Sequence, residues 1–325
     1  MTNARQIIAM IRSHAARDDS LFLSIAEHIA LDAQKAGKSK VAQEISTIVD
    51  RIRADRQKPS SPMPIVAPRG ELAGLVRASY PQVRLADMVL ASDLQRRMRR
   101  LVREHQEAES LREKGLEPRR KFLLSGPPGT GKSMTAAAIA GELGLPLFTI
   151  LLDGVITKYM GETAGKLRLI FDAMKNMRGV YLFDEVDALA ASRGADNDIG
   201  EARRMLTSFL QFLEEDDSRS VIIAATNHRT LLDPAIFRRF HAAFVYAKPS
   251  AEEARRVLAN QLPMFKLQTI DWEKIEAACG GLSQADLVAA AEDAARDAVL
   301  DHNSVLTTDV LFRSLQDRAT IHTAE

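Results

Sequence analysis

The chain is nearly free of cysteine: Cys279 stands alone among 325 residues. A single thiol excludes an internal disulfide framework and fits a reducing compartment. It closes an alanine-rich helical pattern, so it reads as buried packing. Net charge is almost absent too, with 44 Lys and Arg against 43 Asp and Glu. So weak a field does not make nucleic acid the default partner. No apolar run approaches the roughly 20 residues a membrane helix requires. The opening Met1-Thr2-Asn3-Ala4-Arg5 lacks the charged-then-apolar order of a signal peptide, and no internal repeat is visible. These absences point to a cytoplasmic protein with no membrane role. With 46% hydrophobic and 27% charged residues the composition is that of an ordinary globular chain. Its length suggests about two domains with room for a small extra module.

What is present begins with Gly126-Pro127-Pro128-Gly129-Thr130-Gly131-Lys132-Ser133, placed between the apolar run Phe122 to Leu124 and the helix-forming run Met134 to Leu143. Glycines let successive backbone N–H groups turn toward one anion, and the following helix N-terminus adds its positive dipole end. In that context the segment is a phosphate-binding loop rather than a strand-to-helix turn. Lys132 is placed to reach the outer phosphates and the Ser133 hydroxyl to ligate magnesium. Gly126, Pro127, Pro128, Gly129, Thr130, Gly131, Lys132, Ser133, Met134 and Asp184 make up the expected nucleotide-binding set.

The run Val180 to Phe183 leads straight into Asp184-Glu185. A carboxylate pair at the end of a buried strand is costly unless a cation or hydrogen bonds receive it. Beside a phosphate loop that cation is magnesium, held by Ser133 and Asp184, with Glu185 as the general base for the attacking water. The competing reading is a helix cap. Val221 to Thr226 ends in Asn227, which either holds that water or merely forms a turn. Leu232 to Phe240 contains Arg238 and Arg239, either surface charges or fingers that reach a neighbouring subunit's phosphate.

Along the chain, residues 1–57 carry three helix-period stripes: Ile7, Ile8 and Ile11; Leu21, Phe22, Ile25 and Ile29; then Val41, Ile45, Ile48, Val49 and Ile52. They predict a small helical module. Four prolines make residues 58–70 a tether. Asp93 to Lys114 reads as one charged helix whose mixed signs indicate a solvated or inter-subunit face. From Arg120 onward, strand candidates at Phe122–Leu124, Leu147–Leu151, Val180–Phe183, Val221–Ala225 and Phe244–Tyr246 alternate with helical patterns. That alternation predicts an α/β fold: a mostly parallel sheet with helices on both faces, occupying 71–247. After Pro249 the patterns are all helical, giving a lid over 248–325.

These motifs, in this order, resemble the AAA+ ATPases, and within them the AAA subfamily of ring-forming protein remodellers of the spastin and katanin type. Gly126 to Ser133 matches Walker A, Val180 to Glu185 Walker B, Asn227 sensor 1, and Leu232 to Phe240 the second region of homology. Gly281 to Leu287 is similar to the lid motif, and Leu85 to Leu90 to the segment that packs on the base. Three features depart from the usual pattern. Arg238 and Arg239 are adjacent, Ser133 replaces threonine, and Gln284 replaces a small residue in the lid motif. The resemblance implies a P-loop NTPase fold, ATP and Mg2+ as cofactors, and a site completed by Arg238 and Arg239 of a second protomer, hence a homo-oligomer, most simply a hexamer. Lys158 to Glu162 is similar to a pore loop that grips unfolded polypeptide, with Tyr159 and Met160 as the gripping pair; a buried Tyr–Met contact is the plainer alternative. The implied function is ATP-driven remodelling or unfolding of a protein. The alternative is a nucleotide-dependent switch on a partner enzyme, since simple bacterial AAA proteins of this architecture occur beside subtilisin-like proteases in plasmid-stability or defence operons. A DNA-processing ATPase is the third possibility, disfavoured by the near-neutral charge.

Overall fold

The computed structural model describes residues 29–30, 43, 47, 68, 70–155, 162–189, 196–228 and 234–323. Its residues fall into two units, 1–65 and 66–325. In the first, residues 29, 30, 43 and 47 are helical; the rest of the expected N-terminal stripes lie outside the described residues.

Six strands make one sheet in the second unit: β1 (Val76–Ser79), β2 (Lys121–Ser125), β3 (Leu147–Ile150), β4 (Val180–Phe183), β5 (Val221–Thr226) and β6 (Ala242–Val245), in the spatial order β1-β3-β4-β5-β2-β6. All neighbours pair in parallel except β1 with β3. The inner strands are buried along nearly their whole length because both faces are covered, and their polar residues fall at strand ends, as Lys121, Ser125 and Thr226, or at Thr149. Leu123, Tyr181, Phe183 and Ile222 face one cluster with the helices Glu162–Asn176 and Asp196–Glu215. Phe122, Leu124, Leu182 and Ile223 face the other, with Ser92–Gln106 and Lys132–Leu143. Phe171, Phe183 and Phe209 meet in stacked and edge-on pairs that fix the first cluster.

Three local findings differ from the sequence reading. β1 was not foreseen. The expected strand Phe244–Tyr246 forms two residues earlier, at Ala242–Val245, and leaves Tyr246 just beyond it. The expected helix Asp93–Lys114 is broken at Glu107 (φ −101°, ψ 27°) into Ser92–Gln106 and Ala108–Arg112. Of its exposed arginines, Arg96, Arg100 and Arg103 pair along the helix, the last with Glu107 at 2.9 Å, whereas Arg97 donates to the Ala243 carbonyl at 2.9 Å and covers the Phe244 ring.

Beyond residue 250 come the helices Ala251–Gln261, Trp272–Ala278, Gln284–Asp301 and Thr308–Thr323, packed around Leu258, Ile275, Leu287 and Leu311. Capping boxes open two of them: Ser250 with Glu253, and Ser283 with Asp286. Cys279 is buried in this cluster, where desolvation pushes its thiol up to about 11. The segment Met88-Val89-Leu90 alternates between two cores, with Met88 and Leu90 in the sheet cluster and Val89 in the helical one. Among the described residues no helix is long and apolar enough to cross a membrane.

Candidate functional site

The order of the strands decides which side chains can meet. β5 lies between β4 and β2, with Ser125 opposite Thr226 and Phe183 opposite Ala224. The carboxyl ends of these three strands therefore deliver the glycine loop, the acidic pair and Asn227 to one edge, the usual place for ligands in an open parallel sheet.

The loop is shaped by close approaches that only glycine permits. A Cβ on Gly126 would collide with the carbonyl oxygen of Tyr246, and one on Gly129 with the hydroxyl of Ser283. Gly129 also has φ +71°, in the left-handed region. Thr130 is buried and its hydroxyl donates back to the Pro127 carbonyl at 2.8 Å, closing the turn. The helix Lys132–Leu143 then starts from Gly131.

Lys132 is buried, and its Nζ donates to the carbonyls of Gly126 and Pro127, each at 2.8 Å. Burial holds its pKa below the ordinary lysine value, while Asp184, Asp187 and Glu185 act in the opposite sense. The Ser133 hydroxyl donates to Asp184 Oδ2 at 2.5 Å. A hydroxyl and a carboxylate side by side are hard oxygen donors of the kind that could hold Mg2+ together with phosphate oxygens. The Glu185 N–H donates to Asp184 Oδ1 at 3.0 Å, and Glu185 itself has φ 53°, a left-handed conformation uncommon outside glycine.

Pro128, Gly129, Thr130, Gly131, Lys132, Ser133, Met134, Asp184, Glu185 and Asn227 all line one cleft of about 550 Å³. Gly126 and Pro127 form the base of the loop, supplying the carbonyls that hold Lys132. Met88 and Val89 close one side, and Val257, Gln261, Gln284 and Val288 close the other from the C-terminal helices. Its apolar end suits a flat base and its glycine end a phosphate chain. Neither Arg238 nor Arg239 lines this cleft. Arg238 is exposed at the end of the short helix Pro234–Phe237, and Arg239 pairs with Glu214 at 3.3 Å. Tyr159 and Met160 lie outside the described residues.

Two sets of contacts were not anticipated. The carboxylate of Asp187 accepts from the Asn227 N–H at 3.4 Å, tying the turn after β4 to the end of β5. The first turn of the helix Gln284–Asp301 docks on the glycine loop, with Ala285 N–H donating to the Gly129 carbonyl at 3.0 Å. From the same turn Gln284 Nε2 donates to the Val89 carbonyl at 2.7 Å, bridging the cleft. Of these residues, Gln284 and Ala285 carried a sequence signal, as part of the lid motif Gly281 to Leu287 in which Gln284 is the departure.

The family model for ATPases associated with various cellular activities (AAA) matches residues 122–246. An uncharacterized AAA family ATPase, y4kL, of Sinorhizobium fredii is 32% identical over 302 residues, covering 93% of this chain and 91% of that protein. The proteasome-activating nucleotidase of Aeropyrum pernix is 33% identical over 216 residues, 63% of this chain, and the match spans about half (52%) of that longer protein. Among solved structures, the crystal structure of the FIGL-1 AAA domain aligns with a TM-score of 0.59 at 22% identity, covering 77% of this chain and 90% of that one. At that identity the likeness is one of fold.

Proposed function

The chain belongs to the AAA family of ATPases, and on that premise we propose that it hydrolyses ATP at a site shared between two copies and uses the energy to remodel a protein substrate. The observation that carries the shared site is the division of its parts. Lys132, Ser133, Asp184, Glu185 and Asn227 line the cleft, whereas Arg238 and Arg239 do not and Arg238 is exposed.

In this reading the N–H groups of the glycine loop and the dipole of the helix Lys132–Leu143 bind the phosphates. Lys132 exchanges its two carbonyl partners for phosphate oxygens. Ser133 and Asp184 would hold Mg2+, which when bound would offset phosphate charge. Glu185 takes a proton from a water whose oxygen attacks the γ-phosphorus, and ADP leaves with the bridging oxygen. Asn227, held at its backbone by Asp187, orients that water. Arg238 and Arg239 of the neighbouring protomer meet the charge that develops, an arrangement worth roughly a thousandfold or more in rate. A closed ring in the cytoplasm completes every such site, and the family resemblance makes that ring a hexamer.

The substrate reading rests on the kinship to a proteasome-activating nucleotidase and on the Tyr159–Met160 loop. The docking of Ala285 on Gly129 favours a second reading, a nucleotide-dependent switch on a partner enzyme such as a subtilisin-like protease, because it ties lid position to the phosphate loop. Tyr159→Ala separates the two. A motor keeps ATP hydrolysis and loses substrate work, while a switch keeps both. The shared site is tested by specific ATPase activity against protein concentration: it rises as protomers assemble, and constant activity in a strictly monomeric protein refutes it.

A further inference from the structure

Tyr246 follows β6, in the connection to the helix Ala251–Gln261, and it touches the strand before the phosphate loop, the loop itself and the helix after it. Its N–H donates to the Ser125 carbonyl at 2.7 Å. Its own carbonyl occupies the space a Cβ on Gly126 would need. Its hydroxyl, buried within an otherwise apolar cluster, donates to Thr135 Oγ1 at 2.7 Å.

Thr135 is fully buried one turn into the loop's helix, and its hydroxyl donates to the Gly131 carbonyl at 3.0 Å. A threonine hydroxyl has one proton, and the Gly131 carbonyl at 3.0 Å is a far stronger acceptor than the Met88 sulfur at 3.9 Å, so the proton goes to Gly131 and the oxygen accepts from Tyr246. The direction of the relay is therefore fixed. Burial raises the Tyr246 phenol above its ordinary value, which keeps it a donor at any working pH. Phenylalanine would fill the same volume without bringing a polar atom that must find a partner, so packing alone does not explain the hydroxyl.

The Gly131 carbonyl thus receives two donors, Thr135 N–H at 2.9 Å and Thr135 Oγ1. In a trans peptide the C=O and the following N–H point in opposite directions. A Gly131 carbonyl pinned down the helix axis aims the Lys132 N–H out of the helix N-terminus, into the cleft.

We propose that Tyr246 is a positioning residue for the nucleotide: through Thr135 it holds the Gly131–Lys132 peptide with its N–H facing the bound phosphates. The proposal rests on the cleft being the ATP site. Because that N–H meets a phosphate both before and during reaction, its loss weakens binding without slowing chemistry.

The experiment compares the full-length wild type with Tyr246→Phe, Thr135→Val and the double variant, by steady-state ATP hydrolysis, direct ADP binding and thermal melting. Tyr246→Phe should raise KM for ATP and Kd for ADP about three- to tenfold, the effect of one hydrogen bond. Its kcat should stay within about twofold. The double variant should bind no more weakly than Thr135→Val alone, since both changes cut one relay. Thr135→Ser keeps the hydroxyl and should keep wild-type KM, so if Thr135→Val does not fold, a Thr135→Ser KM raised as far as that of Tyr246→Phe overturns the relay. A KM for Tyr246→Phe equal to wild type, or independent multiplying effects in the double variant, overturns the relay, even if melting temperatures fall. A wild type that fails to bind ATP overturns the functional reading itself.

Discussion

Glu185 has φ 53° and an exposed side chain, so its backbone conformation and its chemistry can be separated by two substitutions. A left-handed conformation costs a residue with a Cβ roughly 1–2 kcal/mol. Glycine escapes that cost but gives the unfolded chain extra freedom worth about 0.5–1 kcal/mol. Glu185→Gly should therefore leave the folded state more stable by up to about 1.5 kcal/mol, at about 2–4 °C of Tm per kcal/mol for a unit of this size. No packing is lost, and the N–H that donates to Asp184 Oδ1 remains. Glu185→Gln keeps the Cβ and the strain, so its Tm should match the wild type. Both variants lack the general base, and turnover should fall at least a hundredfold in each. Melting of nucleotide-free protein and ATPase assays on the same three samples supply the result. A glycine variant that melts below the glutamine variant would refute the idea that strain is stored at this acid, and full turnover in either would refute its role as the base.

Lys132→Ala should abolish nucleotide binding, read as loss of ADP binding in a protein that remains folded. Gly129→Ala places a Cβ against the Ser283 hydroxyl at φ +71°, so it should cost about 1–3 kcal/mol in denaturant unfolding and weaken ATP binding. Wild-type values in both assays would contradict the direct docking of the lid. His241 Nδ1 accepts from the Arg120 N–H at 3.0 Å, and burial holds its pKa below the ordinary histidine value. The unfolded chain then takes up a proton first as pH falls below about 6.5, so stability should decline through that range and onward through the lower folded value. Denaturant midpoints across this range should fall less in His241→Asn than in the wild type.

What the sequence disclosed depended on whether the contributors are close along the chain. The phosphate loop is eight consecutive residues and β4 runs directly into its acids, so both were legible without the fold. Inner strands announced themselves as continuous apolar runs because both faces are buried. β1 did not: Val76-Arg77-Ala78-Ser79 is a short edge strand with little apolar content. The break at Glu107 lies among good helix formers with no capping residue to signal it. Contacts such as Asp187 with Asn227, 40 residues apart, and Tyr246 with Thr135, 111 apart, exist only once the sheet order sets them side by side. Gln284 was visible as an odd residue, yet its reach to Val89 required the folded cleft.

The division of one site between two protomers is tested most directly by mixing two inactive variants. Arg238→Ala/Arg239→Ala keeps the cradle and its acids, and Lys132→Ala keeps the arginines. Mixed assemblies contain interfaces where an intact cradle meets intact arginines, so hydrolysis should return although neither variant alone turns over. A mixture shown to co-assemble yet no more active than its components would contradict the shared site.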